Sequence, residues 1–252
     1  MSVKIIDLNV NDFGGAENHL MEYKTINCHG KEVIDWKRWR EVNKSIPLKR
    51  IFEYIKVIVP TIVILQEFEL NNSKESYDFI ELMDKIGYEI IGNIPKYPVS
   101  MTVMFVGKEL EYDIVELSDY RNGREYAIKV GEYIICGIHI PPNYDKDYWE
   151  KIIEFYEKWS KDSVMLIGDF NTYIEGTDNK KRFNEIIMQG AIDVWIKFEN
   201  SDSTPTEKKY GGRLDYVIVS PNMYKAVVSM EVNSNIMEEN ISDHAALIIE
   251  LK

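Results

Sequence analysis

The apolar run Val164-Met165-Leu166-Ile167 passes directly into Gly168-Asp169-Phe170-Asn171. A buried strand that stops at a carboxylate and a carboxamide places two polar groups at its carboxyl end, and Gly168 lets the backbone bend there. Open sheets of α/β proteins bind ligands at such strand ends. Alone the tetrapeptide is a weak signal, because Asp and Asn are ordinary in turns. Its weight comes from companions elsewhere in the chain.

The chain has 252 residues, 45% of them hydrophobic, enough for one large core. A single domain over residues 1–252 is expected, since neither an internal repeat nor a low-complexity linker interrupts it. No run reaches the roughly 18 apolar residues of a membrane span. Met1-Ser2-Val3-Lys4-Ile5-Ile6-Asp7 does not read as a secretory signal. Cys28 and Cys136 could form one bridge, but two cysteines make neither a disulfide framework nor a Cys-rich zinc site, and a cytoplasmic location is expected. The net charge of −12 removes any global attraction for a polyanion, while a local basic face stays compatible with it. Excess acid also suits a pocket that gathers carboxylates around a divalent cation.

Short strands alternate with helices. Val3 to Val10 reads as a strand with a turn-rich exit through Asn11-Asp12-Phe13-Gly14-Gly15. A helix starts near Ser45-Ile46-Pro47, carries Ile51, Phe52, Ile55, Ile58 and Val59 inward and ends at Pro60. Thr61 to Leu65 is a buried strand ending at Gln66-Glu67, and a second helix spans about Ser76 to Ile86 with Gly87 as its stop. Val99 to Ile140 reads as a β-meander, with Asn122-Gly123 as a hairpin turn whose flanking Arg121 and Arg124 are solvated, and Gly131-Glu132 as the next turn. Helices are expected over about Asp145–Ser160 and Arg182–Gln189, and final strands over Asp215–Val219, Ala226–Val232 and Ala245–Leu251. Neither a Gly-x-Gly-x-x-Gly nor a Walker-type lysine loop is present.

Six polar clusters share one placement, at or just beyond the end of an apolar strand: Asn9 with Asn11, Glu67, His139, Asp169 with Asn171, Asp215, and Asp243-His244. If those strands share a sheet edge, the groups meet in one pocket suited to phosphate-ester hydrolysis. Glu67, with Asp243 or Asn9, offers the oxygen ligands a hard cation wants. Asp169 could align or deprotonate a water, and Asn171 could donate to the phosphoryl group. Asp215 could hold His244 as a stronger base or a persistent cation, and His139 could supply another donor.

The ordered set Leu8-Asn9-Val10-Asn11, Leu65-Gln66-Glu67, His139, Gly168-Asp169-Phe170-Asn171, Arg213-Leu214-Asp215-Tyr216 and Ser242-Asp243-His244 resembles the endonuclease/exonuclease/phosphatase superfamily over nearly the whole chain. The resemblance implies an α/β fold of four layers, α/β/β/α, with two mostly antiparallel sheets packed face to face and helices outside. It also implies a magnesium-dependent phosphodiester hydrolase, with manganese able to substitute, acting by direct attack of metal-organised water on phosphorus. A nuclease is the leading reading. A hydrolase of a phospholipid headgroup, inositol phosphate or nucleotide, and an inactive binding module, are the alternatives. By position, Glu67, Asn9 and Asp243 are implied at the metal, and His139, Asp169, Asn171, Asp215 and His244 are implied in catalysis. The partner expected is a phosphate-ester substrate, DNA or RNA included, with no protein partner.

Two departures stand out. Asn11 occupies a position where some nuclease branches carry Asp, and Asp12-Phe13-Gly14 replaces the Gly-Leu-Arg typical of apurinic endonucleases. Asn11 is expected to face the substrate, and the stretch Trp36-Lys37-Arg38-Trp39-Arg40 has two readings: Trp36, Arg38, Trp39 and Arg40 face the substrate, or a short helix buries Val33, Trp36 and Trp39 (or the stem of Arg40). Thr206 to Tyr210 reads either as a mobile flap or as ordinary solubilising charge, and His19 and His29 as surface residues.

Overall fold

The computed structural model describes residues 2–15, 24–34, 45–69, 74–92, 100–117 and 123–252. In chain order its first elements are β1 (Val3–Asn9), β2 (Lys24–Ile26), β3 (Glu32–Ile34), α1 (Ser45–Ile58), β4 (Ile62–Glu69), α2 (Lys74–Lys85), β5 (Tyr88–Ile91) and β6 (Ser100–Gly107). There follow β7 (Asp113–Ile114), β8 (Glu125–Val130), β9 (Tyr133–His139), α3 (Lys146–Trp159), β10 (Ser163–Asp169), α4 (Asp178–Met188), β11 (Ile192–Asp193) and α5 (Val194–Lys197). The last are β12 (Asp215–Val219), α6 (Pro221–Tyr224), β13 (Val227–Asn233), α7 (Asn235–Glu238) and β14 (Ala246–Leu251).

Two six-stranded sheets carry the architecture, ordered β13-β14-β1-β4-β6-β5 and β11-β12-β10-β9-β8-β7. β1 runs parallel to β4 and β9 parallel to β10; their other pairings are antiparallel. The central strands are buried on both faces, which explains their unbroken apolar runs. Along β10, Met165 and Ile167 enter the core between the sheets, while Val164 and Leu166 pack with Trp149, Ile152 and Tyr156 of α3 and Phe183 of α4. On the other side, Ile51, Phe52 and Ile55 of α1 and Phe79 and Met83 of α2 pack against the first sheet. The result is the expected four-layer α/β/β/α arrangement.

The sheets approach closely at Gly137 of β9. A Cβ built there would lie 2.6 Å from Ile64 Cγ2 of β4, so hydrogen is the only side chain that the spacing admits. The helices are capped conventionally: Asp145 accepts from the Tyr148 amide at 3.0 Å, and Thr177 accepts from the Lys180 amide at 3.3 Å.

Several local expectations are corrected. β4 does not end at Gln66-Glu67 but continues to Glu69, with a bulge that shifts its register on β6 between Leu65 and Phe68. α4 begins at Asp178 rather than near Arg182, because Thr177 caps a first turn too polar to show in the hydrophobic periodicity. Val59 is exposed and lies outside α1. The expected meander is split between layers: β6 belongs to the first sheet and β7 to β9 to the second. The Gly123 turn does not join adjacent strands tightly, since β7 pairs with β8 at Asp113↔Lys129 and the chain between them is a long connection. Arg121 and Asn122 lie outside the described residues. Gly131-Glu132 does close the β8–β9 hairpin. Cys28 is exposed and Cys136 buried, both free.

Gly137→Ala is expected to cost about 1–3 kcal/mol of stability by forcing the sheets apart. Chemical denaturation measures it, and an unchanged midpoint would mean the two layers tolerate the extra methyl.

Candidate active site

Strand register assembles the site. In the second sheet Asp169 lies opposite His139 of β9 on one side and Asp215 of β12 on the other. In the first sheet Asn9 of β1 lies opposite Gln66 of β4, immediately before Glu67. Residues 243 and 244 enter β14 at the same end. The six polar clusters therefore meet where the two sheets face each other.

Asp169 is 2% exposed and lies at the centre. The Asn9 Nδ2 donates to its Oδ2 across the sandwich at 3.1 Å, and the Asn171 amide donates to its Oδ1 at 2.8 Å. The Asn9 Oδ1 in turn accepts from the Asn11 amide at 3.0 Å, so that carboxamide is held at both ends. Burial raises Asp169 to about 7; the cation on His244 opposes this, and Asp215 and Glu67 add to it. Asn171 has φ of 47°, tolerable for Asn, and one hydrogen of its Nδ2 is donated to the Ile140 carbonyl at 2.9 Å. Asn179, which accepts from Trp149 Nε1 and donates to the Asn171 carbonyl at 3.2 Å, ties that loop to α3 and α4.

His244 is the cationic member. Its Nδ1 lies 2.9 Å from Asp215 Oδ2, and its Nε2 lies 4.0 Å from Asp169 Oδ2. Burial alone would lower its pKa; Asp215, with Asp169 and Asp243 beyond it, outweighs burial and holds the imidazolium well above 6.5. A value raised on folding stabilises the fold fully below about 6.5, and the contribution is lost as pH rises through the raised value. Ser242 Oγ fixes the loop by donating to the Asn9 carbonyl at 2.6 Å. Thr206 Oγ1 accepts from the Leu214 and Asp215 amides at 2.9 and 3.0 Å, while its own carbonyl accepts from the Ala245 amide at 2.8 Å.

His139 has the opposite character. Arg124 Nη1 lies 3.3 Å from its Nδ1. A guanidinium only donates, so Nδ1 accepts and Nε2 carries the proton. That proton is directed to the region of Glu67 Oε1 and Asp169 Oδ2, each 3.7 Å from Nε2. Burial, reinforced by Arg124 and His244, lowers His139 to about 3 and keeps it neutral. Glu67 is half-buried at the β4 bulge with φ of 50°, an unusual backbone for Glu that turns its side chain out of the strand's alternation.

Two clusters have donor atoms all within 4.8 Å of one another: Glu67, His139 and Asp169, and Asp169, Asp215 and His244. Protonation separates them chemically. The second contains an imidazolium, which offers no lone pair. The first offers hard carboxylate oxygens beside a neutral N–H donor, and burial with repulsion from Glu67 raises Asp243 to about 6. Glu67 and Asp169 bring carboxylate oxygens together, and the repulsion between Glu67 and Asp243 sets a further carboxylate near them, so the donor set suits an oxygen-liganded cation beside Glu67.

Trp36, Arg38, Trp39, Arg40 and His19 lie outside the described residues. Val33 lies on β3 and is partly exposed, not buried by a helix, and His29 is exposed. Thr206 and Glu207 are buried, so the 206–210 stretch is anchored at its base: Glu207 forms a bridge with His244 and its carboxylate accepts from the Lys209 and Tyr210 amides. Sequence reasoning missed three residues of the site. Arg124 is engaged with His139 rather than solvated. Thr206 carries no motif. Asp7, fully buried within β1, accepts from Gln66 Nε2 at 2.6 Å beneath Asp169, and burial raises it well above 3.8. A lone Asp inside Ile5-Ile6-Asp7-Leu8 was the available signal for the last.

The sequence matches the Endonuclease/Exonuclease/phosphatase family over residues 25–244, and the chain belongs to that family. No curated protein sequence matches it. Among solved structures it is similar to an AP endonuclease from Archaeoglobus fulgidus, with TM-score 0.68, 17% identity and 98% of each chain covered. It is similar also to a variant of the 3′ phosphatase NExo from Neisseria bound to a product DNA hairpin, with TM-score 0.67, 17% identity and 99% of each chain covered. The AP endonuclease LMAP from Leishmania major gives TM-score 0.68 at 15% identity, covering 100% of this chain and 88% of its own. At these identities the likeness concerns the fold. No helix among the described residues is long and apolar enough to cross a membrane.

Side-chain nitrogen NMR is expected to show His139 as the neutral Nε2–H tautomer and His244 still doubly protonated above pH 6.5, where a free imidazole has lost its proton. Arg124→Met is expected to release His139 into a mixture of tautomers. A charged His139 at neutral pH would contradict the arrangement.

Proposed function

We propose that the chain is a divalent-metal-dependent hydrolase of phosphate diesters, with a nucleic acid as its leading substrate. The observation that carries this reading is Asp169: a buried carboxylate held by Asn9 and Asn171, with one neutral and one charged imidazole directed at it from either side. Family membership and the acidic pocket support the same chemistry.

Asp169, raised to about 7, is matched to accept a proton from the attacking water at neutral pH. The His244 imidazolium, kept charged by Asp215, offsets negative charge on the phosphoryl group. His139 donates a hydrogen bond from Nε2–H to a phosphoryl oxygen, and the remaining Nδ2 hydrogen of Asn171 can donate another. Glu67 and Asp243 would hold the metal, with Asn9 bracing Asp169 beside it. Bound Mg²⁺, or Mn²⁺ in its place, supplies a Lewis acid that polarises the phosphoryl oxygen. Water attacks phosphorus directly while the P–O bond to the leaving oxygen breaks, that oxygen departs as an alcohol after taking up a proton, and no protein side chain is esterified.

A small phosphate compound on the same site is the second reading, favoured by the net charge of −12. Abasic-site repair is the less favoured nuclease activity, because Asp12-Phe13-Gly14 departs from the apurinic-endonuclease pattern.

Turnover with Mg²⁺, Mn²⁺ or EDTA tests the proposal on single-stranded and duplex DNA, RNA, bis-p-nitrophenyl phosphate and p-nitrophenyl phosphate. Metal-dependent polynucleotide cleavage is expected; activity confined to small esters would move the substrate to the second reading, and silence would favour a binding module. Asp169→Asn and His244→Ala are each expected to lower kcat by about 10²–10⁴-fold with the fold retained. Wild-type turnover in both variants would sink the mechanism. Glu67→Gln is expected to raise the metal concentration needed for half-maximal rate, and an unchanged metal dependence would remove Glu67 from the metal.

A further inference from the structure

Beyond Asn171 the surface opens into a cavity of about 200 Å³ whose walls include Pro142, Asn171, Tyr173, Ile174, Tyr210 and Leu214. Two tyrosine rings frame it, nearly parallel, with an interplanar angle of 22° and centroids 6.3 Å apart. Tyr210 is 62% exposed and Ile174 52% exposed, an open apolar lining directly beside the proposed catalytic groups. Tyr173 is seated on the backbone of Gly212, where a Cβ would come within 2.5 Å of the ring. It presents a fixed face.

Tyr173 also walls a second cavity of about 210 Å³, with Lys180, Asp202, Ser203, Gly212 and Arg213 around it. Its two cations differ. Arg213 is engaged, donating to Asp193 at 2.6 and 3.1 Å and to Asp202 at 3.0 Å. Lys180 is 7% exposed, and among the described residues its ammonium makes no hydrogen bond. Its only carboxylate neighbour there is Glu175, 3.7 Å away with a side chain 79% exposed; otherwise it rests over Phe183 and Tyr216 at 5.0 and 5.9 Å. The Lys180 side chain lines this cavity, and an ammonium has three hydrogens to donate. The structure provides one long, solvent-facing ion pair.

We propose that these cavities are adjoining subsites of the phosphoester site: the Tyr173–Tyr210 cavity stacks the nucleoside ring attached to the scissile phosphate, and Lys180 receives the next phosphate. The inference rests on the hydrolase reading and narrows its substrate to a single-stranded oligonucleotide. Aromatic stacking suits any base because every base has a π face. The alternation of ring cavity and cation across Tyr173 matches the alternation of nucleoside and phosphate.

Equilibrium binding in EDTA separates the two subsites without hydrolysis. The probes are a short oligothymidylate, the same oligomer with tetrahydrofuran in place of every nucleoside, and each with or without a terminal phosphate. Wild-type protein is expected to prefer the thymidine oligomer by about tenfold or more. Tyr210→Ala, at an exposed position, and Tyr173→Ala are expected to remove most of that preference. Lys180→Met is expected to retain it while losing the tighter binding that the terminal phosphate confers. Equal wild-type affinity for both oligomers, or an undiminished preference in Tyr210→Ala, would overturn the ring site. An undiminished terminal-phosphate effect in Lys180→Met would overturn the anion site. Base-dependent binding without any hydrolysis would fail the catalytic reading and support the subsites; hydrolysis with base-independent binding would do the reverse.

Discussion

A carboxylate removed from water needs fixed partners, and Asp169 finds its partners on both sheets. The Asn9 carboxamide reaches it from the first sheet and the Asn171 amide from its own loop. Because that contact crosses the sandwich, the site exists only where the sheets keep their spacing and relative orientation. Gly137 sets the spacing, and the pairings of β9, β10 and β12 set which residues stand side by side. Register, core packing and pocket chemistry are in this sense one constraint.

The pocket separates its two imidazoles by the partner each is given. Asp215 makes one a lasting cation, while burial, reinforced by Arg124, makes the other a neutral donor. In the proposed reaction, opposite protonation at nearly the same depth would give a phosphoryl group two kinds of hydrogen-bond donor, and the oxygens of Glu67 and Asp243 would be left to the metal.

Much of this was legible in the sequence because strand ends announce themselves. Unbroken apolar runs that terminate in Glu67, His139 or Asp169 reflect strands covered on both faces, and the final strands were placed to within a residue or so. What escaped had no one-dimensional signature. The β4 bulge depends on a local left-handed backbone at Glu67, so the strand seemed to end where it only bends. Arg124 resembled any turn arginine; its role comes from the β8–β9 pairing, which continues past Glu125↔Ile138 and sets Arg124 beside His139. Thr206 acts through a hydroxyl and a carbonyl that join Asp215 to Ala245, and a single threonine carries no periodicity.

The pairing of β1 with β14 has a consequence for the order of assembly. Ser242 bonds to the Asn9 carbonyl across a separation of 233 residues, and β1 lies between β14 and β4 in its sheet. Contacts of such sequence separation form late, because the entropy of closing the intervening loop must be overcome first. Asp169 and Asp215 precede His244 in the chain, so the acids of the second sheet gain this counter-charge only once the segment leading into β14 is in place. The pocket becomes electrostatically complete only when the last strand docks, which ties its competence to closure of the first sheet.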